Sequence, residues 1–402
     1  MSAETTVVEA MAEEGIDISA QHLKPWTVPD SRTRKPATPG GLSIEGVDLP
    51  VMPPLKPMLA KATDEVPVGD FAYEPKWDGF RCIVFRDGDE VELGSRNELF
   101  LTRYFPELIE PLKSSLPLQA VVDGEIIVPV NDRLGFDALQ QRIHPADSRV
   151  ARLAAETPAE FVAFDVLAAG ETDLTGEPFR DRRARLEAIA SGFEVPVRLA
   201  PSTRDCDIAR DWHERFEGAG LDGLIAKPLD GAYEPNKRTQ LKIKHTRTVD
   251  VVVAGYRMHA DGEGVGSLVL GLYDDSGNLQ HCGVAASFSA RRRKELLEFL
   301  RPHVLADPGE HPWAQWMDAE AHGEGAVMPG TPNRWSGKRR QQPWAPLRLG
   351  LVAEVKYEAM LNGRFRGTTR LVRWRPDRSV ESCLFDQIEA PADCSLSEVL
   401  SS

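Results

Sequence analysis

No two cysteines in this chain are spaced as CxxC, and the five present (Cys82, Cys206, Cys282, Cys383, Cys394) are odd in number and widely scattered. That excludes a dense disulfide framework and the four-cysteine zinc arrangements, and leaves reduced thiols in a cytosolic protein as the natural reading. Long apolar runs are also missing: none approaches the ~20 residues needed to span a bilayer. The N-terminus lacks the basic-then-apolar order of a secretory signal. A cytoplasmic chain with no membrane association is expected. Basic residues are outnumbered, giving a net charge of −14. Such a sum does not exclude a nucleic-acid partner, because binding depends on where charge lies.

The charge is in fact segregated. Glu4, Glu9, Glu13, Glu14 and Asp17 stand in the first twenty residues without a base. Arg334–Arg348 holds five Lys/Arg and no acid, and Arg364–Arg378 holds six Arg against Asp377 alone. The basic clusters at Arg291–Lys294 and Lys338–Arg340 read as solvated faces or as contacts to a nucleic-acid backbone.

A chain of 402 residues is expected to hold two folded domains, since single cores rarely grow past about 250–300 residues. Residues 1–52 predict a disordered N-terminal extension and linker: Val7–Trp26 includes an acidic piece with some helical character, and Thr27–Pro54 is rich in Pro, Gly, Ser and Thr without apolar periodicity. Within it, Glu9–Thr27 resembles a short stretch of low-molecular-weight phosphatases and arsenate reductases. The phosphate loop of that family is absent, so no activity is assigned to this piece. Residues 53–247 alternate β-rich runs (Arg81–Phe85, Glu90–Leu93, Ala120–Val128, Glu160–Leu167, Gly223–Lys227) with helical patterns such as Ile208–Gly218, which predicts an α+β domain. Residues 248–390 hold five short β-like runs (Asp250–Tyr256, Gly266–Tyr273, Leu279–Val284, Leu351–Tyr357, Thr369–Trp374) with one helical segment, Ala290–Arg301, after the third. That pattern fits an all-β OB-fold barrel. Residues 391–402 are left as a C-terminal tail.

The sharpest motif is Glu74-Pro75-Lys76-Trp77-Asp78-Gly79-Phe80-Arg81. Its KxDGxR core resembles the nucleotidyl-transfer motif of ATP-dependent DNA ligases, RNA ligases and mRNA capping enzymes. Six further elements follow in that superfamily's order: Ser95-Arg96-Asn97, Val122-Asp123-Gly124-Glu125, Phe164-Asp165, Leu221–Lys227, Leu241-Lys242-Ile243-Lys244 and Arg373-Trp374-Arg375-Pro376-Asp377-Arg378. The chain is similar to ATP-dependent DNA ligases over about Pro53–Asp386. It looks nearest to the compact bacterial ligase C type, on the words PPLKPMLAKATDEVP and RYFPEL.

The residues read alone point to the same chemistry. A lysine amine must shed its proton to attack phosphorus, from an ordinary pKa of about 10.4. Arg81, Lys227, Lys242 and Lys244 would supply cationic charge that favours this, if their strands converge. Residues two apart share a strand face, so Lys242 points with Lys244 and Asp123 with Glu125. One pair suits phosphate; the other suits Mg²⁺ or a ribose hydroxyl. Glu125 is preferred to Asp123, which beside Gly124 reads equally as turn chemistry.

What the resemblance implies is an adenylation (nucleotidyltransferase, ATP-grasp-like) domain followed by an OB-fold, binding ATP with Mg²⁺ or Mn²⁺ and sealing nicked duplex DNA in repair or recombination. Lys76 would be the nucleophile, and Glu74 would meet adenine through its local backbone. Arg81 and Arg96 would contact ribose or the nick phosphate. Glu125 would hold a ribose hydroxyl or metal, Phe164 would stack on the base and Asp222 would bind metal. Lys242 and Lys244 would hold the α-phosphate, with Lys227 and Arg238 adding charge nearby. Arg375 and Arg378 would orient the leaving pyrophosphate. A monomer, working with a repair polymerase or other repair protein, is the expected state. Two positions depart from the family pattern: Asp222 stands where many members carry Glu, and Arg378 where many carry Lys. An RNA ligase or capping-type guanylyltransferase, and a non-catalytic OB-fold binding protein, are the alternatives.

Overall fold

The computed structural model describes residues 47–143, 146–316, 343–361, 363–389 and 391–402. The basic cluster Lys338–Arg340 and the extension up to residue 46 lie outside the described residues. The chain divides into two compact units, one ending at Lys244 and rejoined by Pro391–Ser402, the other His245–Ala390.

The first unit is built on two sheets. In chain order its strands are β1 (Ala60–Thr63), β2 (Phe71–Pro75), β3 (Phe80–Asp87), β4 (Glu90–Ser95), β5 (Gln119–Ile127), β6 (Glu160–Ala169), β7 (Val197–Leu199), β8 (Gly223–Pro228) and β9 (Gln240–Lys244). One sheet runs β1-β9-β8-β2, with β1 and β9 parallel; the other runs β7-β6-β5-β3-β4. Strands β5 and β6 are buried almost end to end (Ala120, Val122 and Ile126; Phe161, Val162, Ala163 and Val166), which is why they read as continuous apolar runs. The predicted helix at Ile208–Gly218 forms as Cys206–Arg215 followed by a 3₁₀ turn, with the Asp205 carboxylate capping two N–H groups.

Two edges of this unit differ from expectation. Val47, Leu49 and Val51 are buried against Ile83, Phe85, Val121 and Leu167, so the fold begins before Pro53. Their period-two spacing is a strand-like signal that the surrounding Pro and Gly obscured. The C-terminal segment is no free tail. Cys394, Leu396 and Val399 are buried beside Phe216, Ala219 and Leu221, and Leu396 N–H donates to the Asp132 carbonyl at 2.7 Å. A Cβ at Gly218 would stand 1.9 Å from the Ala392 carbonyl oxygen, so this docking requires glycine there.

The second unit is a five-stranded path of β12 (Leu279–Ala285), β11 (Val265–Tyr273), β10 (Arg247–Met258), β13 (Val352–Tyr357) and β14 (Arg370–Trp374). The two ends of the path meet: Thr369, just before β14, bridges Ala285 of β12, with Thr369 N–H donating to the Val284 carbonyl at 2.9 Å. Closure removes the sheet edges and makes a barrel. The helix Ala290–Leu300 follows the third strand and buries Leu296 and Leu300 in the barrel core. This is the OB-fold that the run of short strands predicts.

Candidate active site

Lys76 occupies the turn between β2 and β3, and the turn is fastened to the start of β8. Lys76 N–H donates to the Gly223 carbonyl at 2.8 Å, and Asp222 N–H donates back to the Lys76 carbonyl at 3.0 Å. Two glycines make this approach possible. A Cβ at Gly79 would lie 2.2 Å from the Ile126 carbonyl oxygen, and one at Gly223 (φ +126°) would lie 2.0 Å from that of Ile243.

The result is a cluster of residues far apart in sequence. Lys76 Nζ lies 2.8 Å from Asp222 Oδ2, and Lys244 Nζ lies 3.1 Å from the same oxygen. Lys242 is two residues back along β9, paired in register with Ile225 of β8. The expectation that neighbouring cations would loosen the Lys76 proton is not met here. Burial presses its pKa down, but Asp222, Asp78 and Glu125 more than reverse this, and the net shift is upward. In this arrangement Lys76 is a protonated partner of Asp222.

Glu125 belongs to the same cluster. Its Oε1 accepts the Gly79 N–H at 3.2 Å. Burial pushes its carboxyl up to about 7, with Arg81 and Lys76 pulling back part of the shift. Asp123 is not turn chemistry. It sits mid-strand in β5, fully buried, and accepts Nε and Nη2 of Arg81 at 2.6 Å each. Arg81 is therefore fixed by a bidentate pair, and its guanidinium lies 4.4 Å from the centroid of the Phe164 ring.

Lys227 does not join Lys76. Its ammonium, drawn down in pKa by burial, donates to the Phe164 carbonyl at 3.0 Å and pairs with Glu74 at 2.7 Å. Glu74 is thus placed by its side chain as well as by its backbone. Its carboxylate is 2% exposed, with Oε1 lacking a hydrogen bond and lying 3.5 Å from Arg183 Nη1. Burial raises its pKa, and Lys227 and Arg183 offset only part of that. Asp123 ranks below Glu125 in the sequence reading, and Asp165 and Arg183 are absent from its set of site residues. The two aspartates could have been found by their place on strands, two residues before Glu125 and one after Phe164.

The remaining predicted residues are placed as follows within their own units. Arg96 follows the end of β4, and Arg238 is exposed in the loop before β9. In the barrel unit, Arg375 Nη1 bonds both Asp250 oxygens at 3.0–3.1 Å and Arg375 Nη2 bonds Asp377 at 2.8 Å. Arg378 Nε stands 3.3 Å from Asp250. The run Arg291–Lys294 is paired with Glu295, Asp261 and Glu263 along the surface, the solvated reading of that cluster.

Residues 57–244 match the family model described as ATP dependent DNA ligase domain, and residues 261–378 match ATP dependent DNA ligase C terminal region. The chain is an ATP-dependent DNA ligase. It is 50% identical over 346 residues to DNA ligase C2 of Mycolicibacterium smegmatis, covering 86% of this chain and 97% of that one. With DNA ligase C of Mycobacterium tuberculosis the identity is 49% over 360 residues, covering 88% and 99%. Among solved structures, Pmar-Lig_PreS3 shares the fold at a TM-score of 0.54 and 17% identity, covering 80% of this ligase and 68% of that chain. Among the described residues of the ligase, no helix is long and apolar enough to cross a membrane.

Proposed function

We propose that this ligase seals nicks in duplex DNA through a lysyl-AMP formed at Lys76. The observation that carries the reading is the triad of Lys76, Asp222 and Lys244, held by reciprocal backbone hydrogen bonds between the nucleophile turn and β8. Deprotonated Lys76 Nζ attacks the α-phosphorus of ATP, the bond to the bridging oxygen breaks, and pyrophosphate leaves. The adenylyl group then passes to the 5′-phosphate of a nick, freeing Lys76. Attack by the 3′-hydroxyl closes the strand and releases AMP.

A divalent cation fits the donor set. Mg²⁺ commonly takes one or two carboxylates plus substrate phosphates, and Asp222 and Glu125 both face Lys76. A bound Mg²⁺ or Mn²⁺ would neutralise developing phosphate charge. Asp222 would hold such a cation, which would supply positive charge beside Lys76 and favour its neutral amine. Phosphoryl transfer then rests mainly on positioning and charge. Lys242 and Lys244 hold the α-phosphate. Phe164 stacks on the base, and Glu74 Oε1, which accepts no hydrogen bond in the free protein, suits the amino group of adenine. Arg81, Arg96 and Glu125 meet the ribose or the nick phosphate, with Lys227 and Arg238 as supporting cations. Arg375 and Arg378 exchange their carboxylate partners for pyrophosphate. The substrate is nicked DNA in the cytoplasm, at the nucleoid, in a repair or recombination setting with a monomeric enzyme.

Incubation with ATP labelled at the α-phosphate and Mg²⁺, followed by a chase with nicked duplex, tests this. Label that enters the protein and is discharged with sealing supports the reading. Label indifferent to nicked DNA but discharged by nicked RNA overturns the choice of acceptor.

A further inference from the structure

Tyr233 lies 110 residues from Asp123 in sequence, in the loop between β8 and β9, and the sequence reading gives it no role of its own. Its ring is 4% exposed and packs with Ile83, Phe85, Val121 and Leu167. Its backbone N–H donates to the Thr175 carbonyl at 2.8 Å. The hydroxyl accepts the Met58 N–H at 3.4 Å and donates to Asp123 Oδ2 at 2.7 Å.

We propose that Tyr233 is a positioning residue for self-adenylation, acting through Asp123 to hold the Arg81 guanidinium over Phe164. The inference rests on the lysyl-AMP reading above. Asp123 is fully buried between one cation and one neutral donor, and that donor fixes the plane of its carboxylate. Without the hydroxyl, Asp123 keeps only Arg81 and can turn with it. Of the acids beside Arg81, Glu125 accepts the Gly79 N–H at 3.2 Å and Asp165 is engaged elsewhere. Asp165, the cross-strand partner of Asp123, is itself bidentate to Arg182 at 2.8 and 2.9 Å. Arg182 in turn lies 5.7 Å from the Tyr233 ring centroid, so ring and hydroxyl separate two buried Arg–Asp pairs. Burial, and then the Asp123 charge, raise the phenol pKa well above its ordinary value, so it stays a donor across the working pH range. Phenylalanine would fill the same space and delete only the hydroxyl.

The test is a double-mutant cycle on the single-turnover rate of lysyl-AMP formation, using α-labelled ATP and the full chain. Tyr233→Phe should slow adenylation about tenfold, the weight of one hydrogen bond to a charged group, while circular dichroism shows a folded protein. In the background of Arg81→Lys, which cannot make the bidentate pair, the same change should cost less than about twofold. A purely structural role would give equal factors in both backgrounds, which overturns the proposal. An unaffected Tyr233→Phe in the native background overturns it as well. If Tyr233→Phe does not fold, Asp123→Asn carries the same test, because it must also lose its penalty beside Arg81→Lys. Wild-type protein that takes no label refutes the lysyl-AMP reading itself; labelled wild type with an indifferent Tyr233→Phe refutes only the positioning role.

Discussion

The adenylation unit buries some of its ion pairs almost completely, whereas the described pairs of the barrel unit keep at least one partner in contact with solvent. In the first, Arg182–Asp165 and Lys227–Glu74 have side chains no more than 4% exposed. In the barrel, Arg373 is 63% exposed beside Glu354, and Arg291 is 90% exposed beside Glu295. A buried pair has lost its water and depends on its partner, whereas an exposed pair is cheap to make and to exchange. The first arrangement keeps a site preorganised before substrate arrives. The second leaves surface arginines such as Arg373 and Arg291 easy to re-pair, whereas Arg375, 19% exposed beside Asp250, lies between the two extremes.

Removing the nucleophile should have the largest effect. Lys76→Ala is expected to take up no label from ATP yet keep its fold, since its backbone bonds to Gly223 and Asp222, which fasten the turn, remain; labelling and far-UV circular dichroism check both halves. Next comes stability in the buried network. Glu74→Gln should destabilise by about 3–5 kcal/mol, because Lys227 is left buried without its counter-charge. Glu354→Gln on the barrel should cost no more than about 1 kcal/mol. Equal losses in urea titrations would erase the contrast between the two units.

The third prediction concerns pH. Glu125 is held up to about 7 in the free enzyme, so its carboxylate form is lost as pH falls through that value. The kcat/KM for ATP, which reports free-enzyme ionisations, should therefore drop on the acid side with a midpoint near 7. Glu125→Gln should be slower but lack that limb; an unchanged limb would assign it to another group. The smallest effect is expected on the barrel surface. Lys294→Ala should leave the urea midpoint unchanged and nick affinity within about twofold. A larger loss, with a shallower salt dependence of binding, would make that run a DNA contact.

Much of this was legible in the residues. The motif order located Lys76, Asp222 and Lys244, which the sheets bring together, and the period-two rule put Asp123 and Glu125 on one face of β5. What escaped was whatever depends on register between distant strands. Tyr233 is an unremarkable tyrosine until the loop before β9 brings it to Asp123, and Arg182 reads as one of several surface cations on its helix until Asp165 faces it. The protonation of Lys76 was misjudged for the same reason. Counting nearby cations omitted the carboxylate that Gly223, with no Cβ, allows within 2.8 Å of the amine. The C-terminal segment looks like a tail in sequence because five helical residues give too little periodicity to announce a docking face.

The most direct test of the central claim is to treat the full chain with ATP and Mg²⁺, digest it, and locate the adenylyl group by mass spectrometry. The account predicts a single modified site, on the lysine of the peptide containing Glu74–Arg81, lost on addition of nicked DNA. An adenylyl group on Lys244 or any other residue, with Lys76 unmodified, would contradict it.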